Sequence, residues 1–291
     1  TGSIGKSCLN VIRQNKEHFH LFGIGFGSNL DRAQEITKEF NPDHIFVAQS
    51  QTDKSHIFWQ DHSNTLSSED ELRALIQDSS VDIVISAISG FAGLKASYFA
   101  IEAGKVILIA NKESIVAAGD ILMPLAETKN SQIIPVDSEH NALYQCLPSK
   151  RNISEISKIL ITASGGPFRE KSLGDLRGVS LNDALNHPTW SMGAKITIDS
   201  ATLVNKCLEL IEAHYLFNIP ESQIEIIVHP QSIIHSMITF VDGTTIAQMS
   251  NPSMEIPISN ALGMGTRLPI NFKEIDFSEL NLSFEPVAND R

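Results

Sequence analysis

The chain has 291 residues, 42% of them hydrophobic and 19% charged, and a formal net charge of −12. This length and composition permit one large or two ordinary globular domains with a sizeable core. The acidic balance argues against nucleic acid as a partner, because phosphate backbones are bound by lysine and arginine surfaces, and no stretch approaches the roughly 18 consecutive apolar residues of a membrane span.

The first half of the chain alternates between helix-like and strand-like segments. Helices are predicted at residues 8–13, 30–40, 68–78, 93–103 and 114–129, and strands at residues 19–24, 44–47, 81–88, 106–110 and 133–136. This alternation predicts βαβ units around a parallel sheet, which binds ligands at the carboxyl ends of its strands.

The second half of the chain reads as a different, α+β architecture. Strands are predicted at residues 156–162, 225–228, 234–240 and 245–249, and helices at 172–176, 181–185 and 201–217. Asp242 and Gly243 form a hairpin turn between the last two strands, so the sheet is expected to be mostly antiparallel. We therefore predict domains at residues 1–137 and 138–266, followed by a linker at 267–291.

Three segments of the first half have the character of a nucleotide site. Residues 1–5, Thr-Gly-Ser-Ile-Gly before a helix, resemble the end of a Gly-rich phosphate turn, although a plain βα turn is the alternative. Residues 25–29 lack the carboxylate that NAD-preferring folds place after the second strand, which favours NADP over an ordinary turn. Residues 110–114 follow a strand and open a helix, where cofactor and substrate should meet, unless Lys112 and Glu113 are merely first-turn charges.

Asp137 and Glu139 flank Ser138 directly after a predicted strand. In an extended segment, residues i and i+2 point to the same side, so the two carboxylates would converge. A hard, oxygen-seeking cation would stabilise such a pair. An ordinary Asp-x-Glu pair on the surface is the alternative.

The predicted helix 201–217 carries a polar arc formed by Asn205, Lys206 and Glu209. The alternative is a solvated face with a contact between Lys206 and Glu209 at i,i+3 spacing. Ser200 is expected at or just before the start of this helix, where backbone N–H groups favour an anion.

Two further segments offer donors to a substrate. Ser164 begins a Ser-Gly-Gly turn, and His187 and Trp190 lie in a polar loop that could close over a ligand. The remaining buried-type histidines are interpreted as packed or capping residues without zinc spacing: His140, His214, His229 and His235.

Together these segments resemble the 1-deoxy-D-xylulose 5-phosphate reductoisomerase family, through residues 1–5, 110–114, 136–142, 162–169, 187–192, 195–209 and 229–236. The resemblance implies a Rossmann-like, parallel-sheet NADPH-binding domain and an α+β catalytic domain with a lid. It also implies a C-terminal helical domain and a first strand, both of which this chain is expected to lack. The members of the family are homodimers that convert 1-deoxy-D-xylulose 5-phosphate to 2-C-methyl-D-erythritol 4-phosphate in non-mevalonate isoprenoid biosynthesis.

The resemblance also implies a role for individual residues. Mg²⁺ or Mn²⁺ would be bound by Asp137, Glu139 and Glu209, and the catalytic set would be Lys112, Asp137, Glu139, His187 and Glu209. The phosphorylated sugar would be bound by Ser138, Ser164, His187, Trp190, Ser200, Asn205 and Lys206. NADPH would be bound by Thr1, Gly2, Ser3, Ile4, Gly27, Ser28, Asn29, Asn111, Lys112, Glu113, Met192 and Gly193.

The expected reaction is a metal-assisted rearrangement of the carbon skeleton followed by hydride transfer from NADPH. The alternatives are an NADP-dependent dehydrogenase without isomerisation and a non-catalytic nucleotide-binding protein. Metal dependence and a rearranged product distinguish the expected reaction from that of a plain dehydrogenase. Turnover distinguishes it from a non-catalytic binding protein. The few cysteines, which lack metal-ligand spacing, favour a reducing location, the cytoplasm or a plastid-type stroma.

Overall fold

The computed structural model describes residues 1–48, 62, 65–147, 153–190 and 193–287. Met192, one of the predicted cofactor residues, lies outside the described residues. The chain divides into two compact units, Thr1–Ile134 and Pro135–Arg291. The predicted domain limits remain a prediction.

The first unit alternates between helices and strands, as the sequence predicts. Its helices are α1 (Ser3–Gln14), α2 (Leu30–Phe40), α3 (Glu69–Gln77), α4 (Leu94–Glu102) and α5 (Lys112–Lys129). Its strands are β1 (Gly23–Phe26), β2 (His44–Val47), β3 (Ile83–Ser86), β4 (Val106–Ile109) and β5 (Ile133–Pro135), the last of which extends one residue past the division between the units. β1 pairs with β2 and β3 pairs with β4, both in parallel, and β5 lies beside β4. The predicted parallel architecture is confirmed.

Local chemistry explains where these elements lie and end. In β4, Ile107, Leu108 and Ile109 are fully buried, as expected for a parallel strand covered on both faces. The α2 and α5 helices end at Asn41 and Asn130, whose positive φ angles give the left-handed conformation that terminates a helix.

Asn111 connects the loop after β3 to the start of α5. Its Oδ1 accepts a hydrogen bond from the backbone N–H of Ser114 at 2.8 Å and so caps the helix. Its Nδ2 donates to the backbone oxygens of Ile88 at 2.5 Å and Gly90 at 2.9 Å. The side chain therefore has a structural task in holding the turn that opens α5.

The second unit is built on a five-stranded sheet. Its helices are α6 (Ser138–Cys146), α7 (Leu173–Leu176), α8 (Leu181–Leu185), α9 (Ala194–Ser200), α10 (Val204–Phe217) and α11 (Glu255–Leu262). Its strands are β6 (Ile156–Ala163), β7 (Ile224–Val228), β8 (Ile234–Phe240), β9 (Thr245–Met249) and β10 (Glu285–Pro286), in the spatial order β10-β7-β6-β8-β9. β6 and β7 are parallel and the other three pairings are antiparallel, which confirms the mostly antiparallel sheet.

Several predictions for the second unit were wrong in detail. The α6, α9 and α11 helices were not predicted, and the helix expected at 201–217 begins three residues later as α10, after a break at residues 201–203 that separates it from α9. Thr202 lies at the break, where its hydroxyl accepts a hydrogen bond from the Val204 N–H at 3.3 Å and offers the backbone an alternative to the helical ladder. Residues 267–284 have no helix or strand, but β10 adds a strand to the edge of the sheet beside β7.

Two helices of the second unit pack on its sheet and carry most of the polar residues of interest. The α6 helix contacts β8 and β9, and α10 contacts β6 and β7. Among the described residues, no helix is long and apolar enough to cross a membrane.

The two roles of the Asn111 side chain can be separated by Asn111→Asp. A carboxylate still caps α5 but cannot donate, and it places a charge against two carbonyl oxygens. We expect a loss of about 2 kcal/mol in the free energy of unfolding, measured by denaturant titration.

Asn29→Asp is the matched control. Asn29 is exposed and caps α2 only by accepting the Arg32 N–H at 3.1 Å, so its aspartate variant should unfold within a few tenths of a kcal/mol of the wild type. Equal stability of the two variants would contradict the structural role of Asn111.

Candidate metal and substrate site

Asp137 and Glu139 lie at the start of α6. Asp137 is the N-cap residue, and its Oδ1 accepts a hydrogen bond from the Glu139 N–H at 3.2 Å. The predicted extended segment is therefore wrong. The two carboxylates still converge, because the capping side chain folds over the first helical turn, where the exposed N–H groups and the helix dipole favour negative charge.

The third carboxylate, Glu209, lies on α10 with Asn205 and Lys206. Asn205 Nδ2 donates to Glu209 Oε1, and Lys206 Nζ lies 2.5 Å from Glu209 Oε2. This geometry confirms the polar arc predicted on the helix. Ligand oxygens of Asp137, Glu139 and Glu209 all lie within 4.8 Å of one another.

Lys206 is a cation that contacts two of these carboxylates. Its Nζ also lies 2.5 Å from Glu139 Oε1, and its side chain is only 8% exposed. Burial lowers the pKa of Lys206, but Glu139 and Glu209 outweigh that effect and hold it above its ordinary value. The lysine is therefore charged and neutralises part of the acidic cluster.

The balance of charge at the cluster is visible at Glu139. Burial raises the pKa of Glu139 to about 7, Lys206 opposes this, and the neighbouring Glu209 and Asp137 reinforce it. One lysine thus does not fully compensate three close carboxylates. Ser138, between the two acids of α6, donates its hydroxyl to Glu139 Oε2.

The donor set fits a hard divalent cation. Mg²⁺ and Mn²⁺ prefer carboxylate oxygens, and Mg²⁺ is usually held by one or two carboxylates together with water or substrate oxygens. The side chains of Asp137 and Glu139 are 12% and 16% exposed, which leaves this side of the cluster accessible, whereas Glu209 is 1% exposed.

A second buried group, which the sequence analysis missed, shares Asp137. His140 Nδ1 lies 3.1 Å from Asp137 Oδ1 and 3.4 Å from Glu212 Oε2, and the side chains of His140 and Glu212 are 0% and 1% exposed. Burial lowers the pKa of His140, but Glu212 and Asp137 reverse this and raise it to about 9. The i,i+3 spacing of Asp137 with His140 and of Glu209 with Glu212 was the signal available in the sequence.

Ser164 and His187 are in contact. His187 Nδ1 accepts hydrogen bonds from the backbone N–H groups of Thr189 at 3.1 Å and Trp190 at 3.0 Å, so its Nε2 carries the proton and donates to Ser164 Oγ at 3.0 Å. Burial and the nearby Lys206 lower the pKa of His187. The histidine is therefore neutral at pH 7 with a defined tautomer.

Ser200 was placed incorrectly at the start of a helix. It is the last residue of α9, and α10 begins at Val204. The turn after Ser164 nevertheless lies against it. Gly166 has φ of +69°, and a Cβ on Gly166 would lie 2.2 Å from the backbone oxygen of Ser200, so only glycine fits this approach.

Two predicted ligand residues lie at the edges of this region. The Trp190 ring lies 6.0 Å from the ring of His235, which is 4% exposed. Gly193 is exposed and forms the N-cap of α9. The predicted cofactor residues other than Gly193 and Met192 belong to the first unit.

The predicted cofactor residues of the first unit lie at helix N-termini. Residues 1–4 include the N-cap and the first turn of α1, residues 27–29 precede α2, and residues 111–113 open α5. Lys112 is 6% exposed, and Glu113 Oε2 accepts from Asn111 Nδ2 at 3.3 Å. Helix N-termini present N–H donors suited to phosphate.

Two family models match the chain. The model of 1-deoxy-D-xylulose 5-phosphate reductoisomerase matches residues 1–119, and that of the reductoisomerase C-terminal domain matches residues 133–217. The reductoisomerase of Francisella tularensis subsp. novicida strain U112 is 45% identical over 294 aligned positions, which cover 100% of this chain and 76% of the relative. That of Bacillus pumilus strain SAFR-032 is 44% identical, with 100% and 77% covered.

Solved structures agree with the sequence comparisons. A crystal structure of DOX-P reductoisomerase in complex with NADPH, fosmidomycin and magnesium superposes with a TM-score of 0.94 at 40% identity, covering 100% of this chain and 74% of that one. The Zymomonas mobilis reductoisomerase in complex with NADPH gives 0.90 at 37% identity, with 100% and 76% covered.

Lys206→Met tests the electrostatic role of the lysine. Removing one partner of a buried ion pair leaves uncompensated carboxylates, so we expect the metal-free variant to lose about 3 kcal/mol of unfolding free energy. Added Mn²⁺ should stabilise the variant more than the wild type, since the ion supplies the missing positive charge. Lys158→Met, which removes an exposed pair with Glu225, is the control and should cost less than about 1 kcal/mol. Equal effects of the two variants would contradict this role.

His235 should make stability depend on pH. Burial lowers the pKa of His235 to about 4, against 6.5 for the ordinary side chain. As the pH falls below 6.5 the unfolded chain takes up a proton that the folded chain refuses, so stability is lost progressively between pH 6.5 and 4. Between about pH 7.5 and 5.5, the unfolding free energy of His235→Gln should therefore fall by roughly 1 kcal/mol less than that of the wild type. Parallel pH profiles of the variant and the wild type would show that His235 is not the cause.

Proposed function

The chain belongs to the 1-deoxy-D-xylulose 5-phosphate reductoisomerase family, and from that premise we propose how its residues divide the work of the reaction. The enzyme converts 1-deoxy-D-xylulose 5-phosphate to 2-C-methyl-D-erythritol 4-phosphate with NADPH and a divalent metal ion. The observation that carries the residue assignment is the convergence of Asp137, Glu139 and Glu209 within 4.8 Å around the charged Lys206.

The three carboxylates are the proposed ligands of Mg²⁺ or Mn²⁺. The ion, when bound, acts as a Lewis acid on substrate oxygens during the rearrangement. Asp137 is oriented by its N-cap hydrogen bond, and Glu209 by Asn205 and Lys206, so the ligands are already close to one another before an ion is bound.

Lys206 is proposed to change its partners when the metal ion binds. Without a divalent ion it neutralises Glu139 and Glu209. When the ion supplies positive charge to these acids, the lysine is available to the substrate phosphate. Binding of the phosphate can then orient the substrate and close the lid, since this group is remote from the bonds that change.

The remaining contacts to substrate are assigned by position. Ser164 is proposed to donate a hydrogen bond to the substrate phosphate. Its Oγ already accepts hydrogen bonds from His187 and from the Gly166 N–H at 3.2 Å, which directs its hydroxyl proton outward to an acceptor. Ser200 lies against the same turn and is assigned to the phosphate as well. Ser138 and Asn205, beside the carboxylates, complete the polar contacts, with His187 and Trp190 on the lid.

NADPH, the hydride donor, is assigned to the helix N-termini of the first unit at residues 1–4, 27–29 and 111–113. Their backbone N–H groups suit phosphate oxygens, and the absence of a carboxylate in residues 25–29 accommodates a 2′-phosphate. Lys112 is the proposed cationic contact, and Met192 and Gly193 would lie against the nicotinamide. We assign residues 1–137 and 138–266 as the cofactor and catalytic domains, with 267–291 as a linker.

We also propose a homodimer in the cytoplasm, or in a plastid-type stroma if the source is eukaryotic, with no nucleic acid or membrane partner. The net charge of −12 and the three cysteines are consistent with this assignment.

Glu209→Gln is the test of the metal assignment. The variant keeps the size of the side chain and removes one ligand charge, so NADPH oxidation with 1-deoxy-D-xylulose 5-phosphate and Mn²⁺ should fall by at least about a hundredfold, together with Mn²⁺ affinity. Chelator should abolish wild-type turnover, and product analysis should show the rearranged skeleton rather than a simply reduced ketone.

Glu225→Gln is the matched control, since Glu225 is an exposed glutamate of the same unit that pairs with Lys158. It should leave turnover and Mn²⁺ response unchanged. Undiminished turnover in Glu209→Gln would refute the metal assignment, and chelator-resistant reduction without rearrangement would favour a plain dehydrogenase.

A further inference from the structure

Glu212 and His140 form a buried pair beside the proposed metal ligands, with no part in the contacts assigned so far. Glu212 lies three residues after Glu209 on α10, and His140 lies on α6. A buried carboxylate is costly unless a donor or cation lies close to it, and His140 lies within ion-pair distance at 3.4 Å.

The two nitrogens of His140 contact both ligand-bearing helices. Nε2 lies 2.8 Å from the backbone oxygen of Glu209, and a carbonyl can only accept, so Nε2 carries a proton and donates it. Nδ1 faces two acceptors, Asp137 Oδ1 at 3.1 Å and Glu212 Oε2 at 3.4 Å. The ring is parallel to Phe217 within 13°, at 6.3 Å between centroids, which helps to hold its plane.

These contacts determine the orientation of the Asp137 carboxylate. Its Oδ1 accepts from the Glu139 N–H at 3.2 Å and faces His140 Nδ1 at 3.1 Å. Glu212 is held on α10, the helix that also carries Glu209, and contacts the same edge of the imidazole. Movement of Glu212 or His140 would therefore change Asp137 and the Glu209 backbone together.

We propose that Glu212 is a positioning residue for the metal site, which acts through His140 to fix the Asp137 carboxylate and the backbone of Glu209. This inference rests on the proposed assignment of Asp137, Glu139 and Glu209 as metal ligands. Buried partners of this kind commonly set metal affinity without contacting the ion.

A second metal ion held by Asp137, His140 and Glu212 is the competing explanation, since their ligand atoms also lie within 4.8 Å of one another. The burial argues against it. His140 and Glu212 are 0% and 1% exposed, which leaves little access for the water or substrate ligands that a divalent ion keeps.

The experiment compares Mn²⁺ binding to the wild type, Glu212→Gln and the control Glu225→Gln. Each protein is first stripped of metal with a chelator and is then titrated with Mn²⁺, while electron paramagnetic resonance measures the free ion. We expect Mn²⁺ affinity to fall by roughly 10- to 100-fold in Glu212→Gln and to stay unchanged in the control. In activity assays the Mn²⁺ concentration for half-activation should rise by a similar factor, while the rate at saturating Mn²⁺ changes far less.

A second variant tests the proposal in case Glu212→Gln does not fold. His140→Asn keeps an amide nitrogen near the position of Nδ1 but loses the contact to the Glu209 backbone, so its Mn²⁺ affinity should also fall while thermal unfolding shows a folded protein. If Glu212→Gln does not fold, His140→Asn provides the test, and wild-type Mn²⁺ affinity in that folded variant would overturn the proposal.

The remaining outcomes separate this inference from the proposed function. Loss of Mn²⁺ binding in Glu209→Gln with wild-type affinity in Glu212→Gln would overturn the positioning role and leave the metal site standing. Two Mn²⁺ ions per wild-type chain, falling to one in Glu212→Gln, would make Glu212 a ligand of a second ion and overturn the inference. Absence of Mn²⁺ binding in the wild type would overturn the metal assignment and the inference together.

Discussion

The ion pairs of Lys206 with Glu139 and Glu209 are the interaction on which the acidic cluster depends. Three carboxylates with oxygens within 4.8 Å of one another repel strongly when they are removed from water, and this repulsion is tolerated only when a positive charge lies among them. Lys206 and Glu209 are on the same helix at i,i+3 spacing, so α10 brings a proposed metal ligand and its counter-charge to the cluster together. The cluster can therefore fold without a metal ion, and its partly compensated charge remains attractive to one.

The sheet of the second unit converts distant sequence positions into one site. The α6 helix packs on β8 and β9 and α10 on β6 and β7, and the two helices meet where His140 contacts the Glu209 backbone. The turn after β6 reaches the end of α9 because Gly166 has no side chain to collide with the Ser200 backbone. Most of the proposed substrate contacts therefore lie on regular elements or on a turn whose approach tolerates only glycine.

The sequence predicted the order of the alternating elements in the first unit and four of the five strands described in the second, because their apolar patterns are local properties of the chain. It placed the first strand at 19–24, whereas β1 is Gly23–Phe26, and it missed the short edge strand β10. It also predicted the arc of Asn205, Lys206 and Glu209, since helical periodicity alone determines it. The convergence of Asp137 with Glu139 was anticipated for the wrong reason, because an Asp followed by a short amphipathic run reads equally as strand end or helix cap. Ser200 was misplaced because α9, the helix that ends at Ser200, was not predicted, and α10 begins only at Val204.

What could not be predicted depends on contacts between elements. In the sequence, His140 looks like an ordinary packed histidine and Glu212 like one more acid on a helix. The two form a buried pair only because α6 and α10 pack against each other. The same distinction applies to charge. A net charge of −12 argues against a broad basic surface but not against anionic ligands. In the proposed function, Lys206 is available to one phosphate once a metal ion compensates the neighbouring acids, and N–H groups at helix starts favour phosphate oxygens over a few ångströms, which is too local for a nucleic acid backbone. An acidic protein can in this way bind two anionic ligands, a nucleotide and a sugar phosphate.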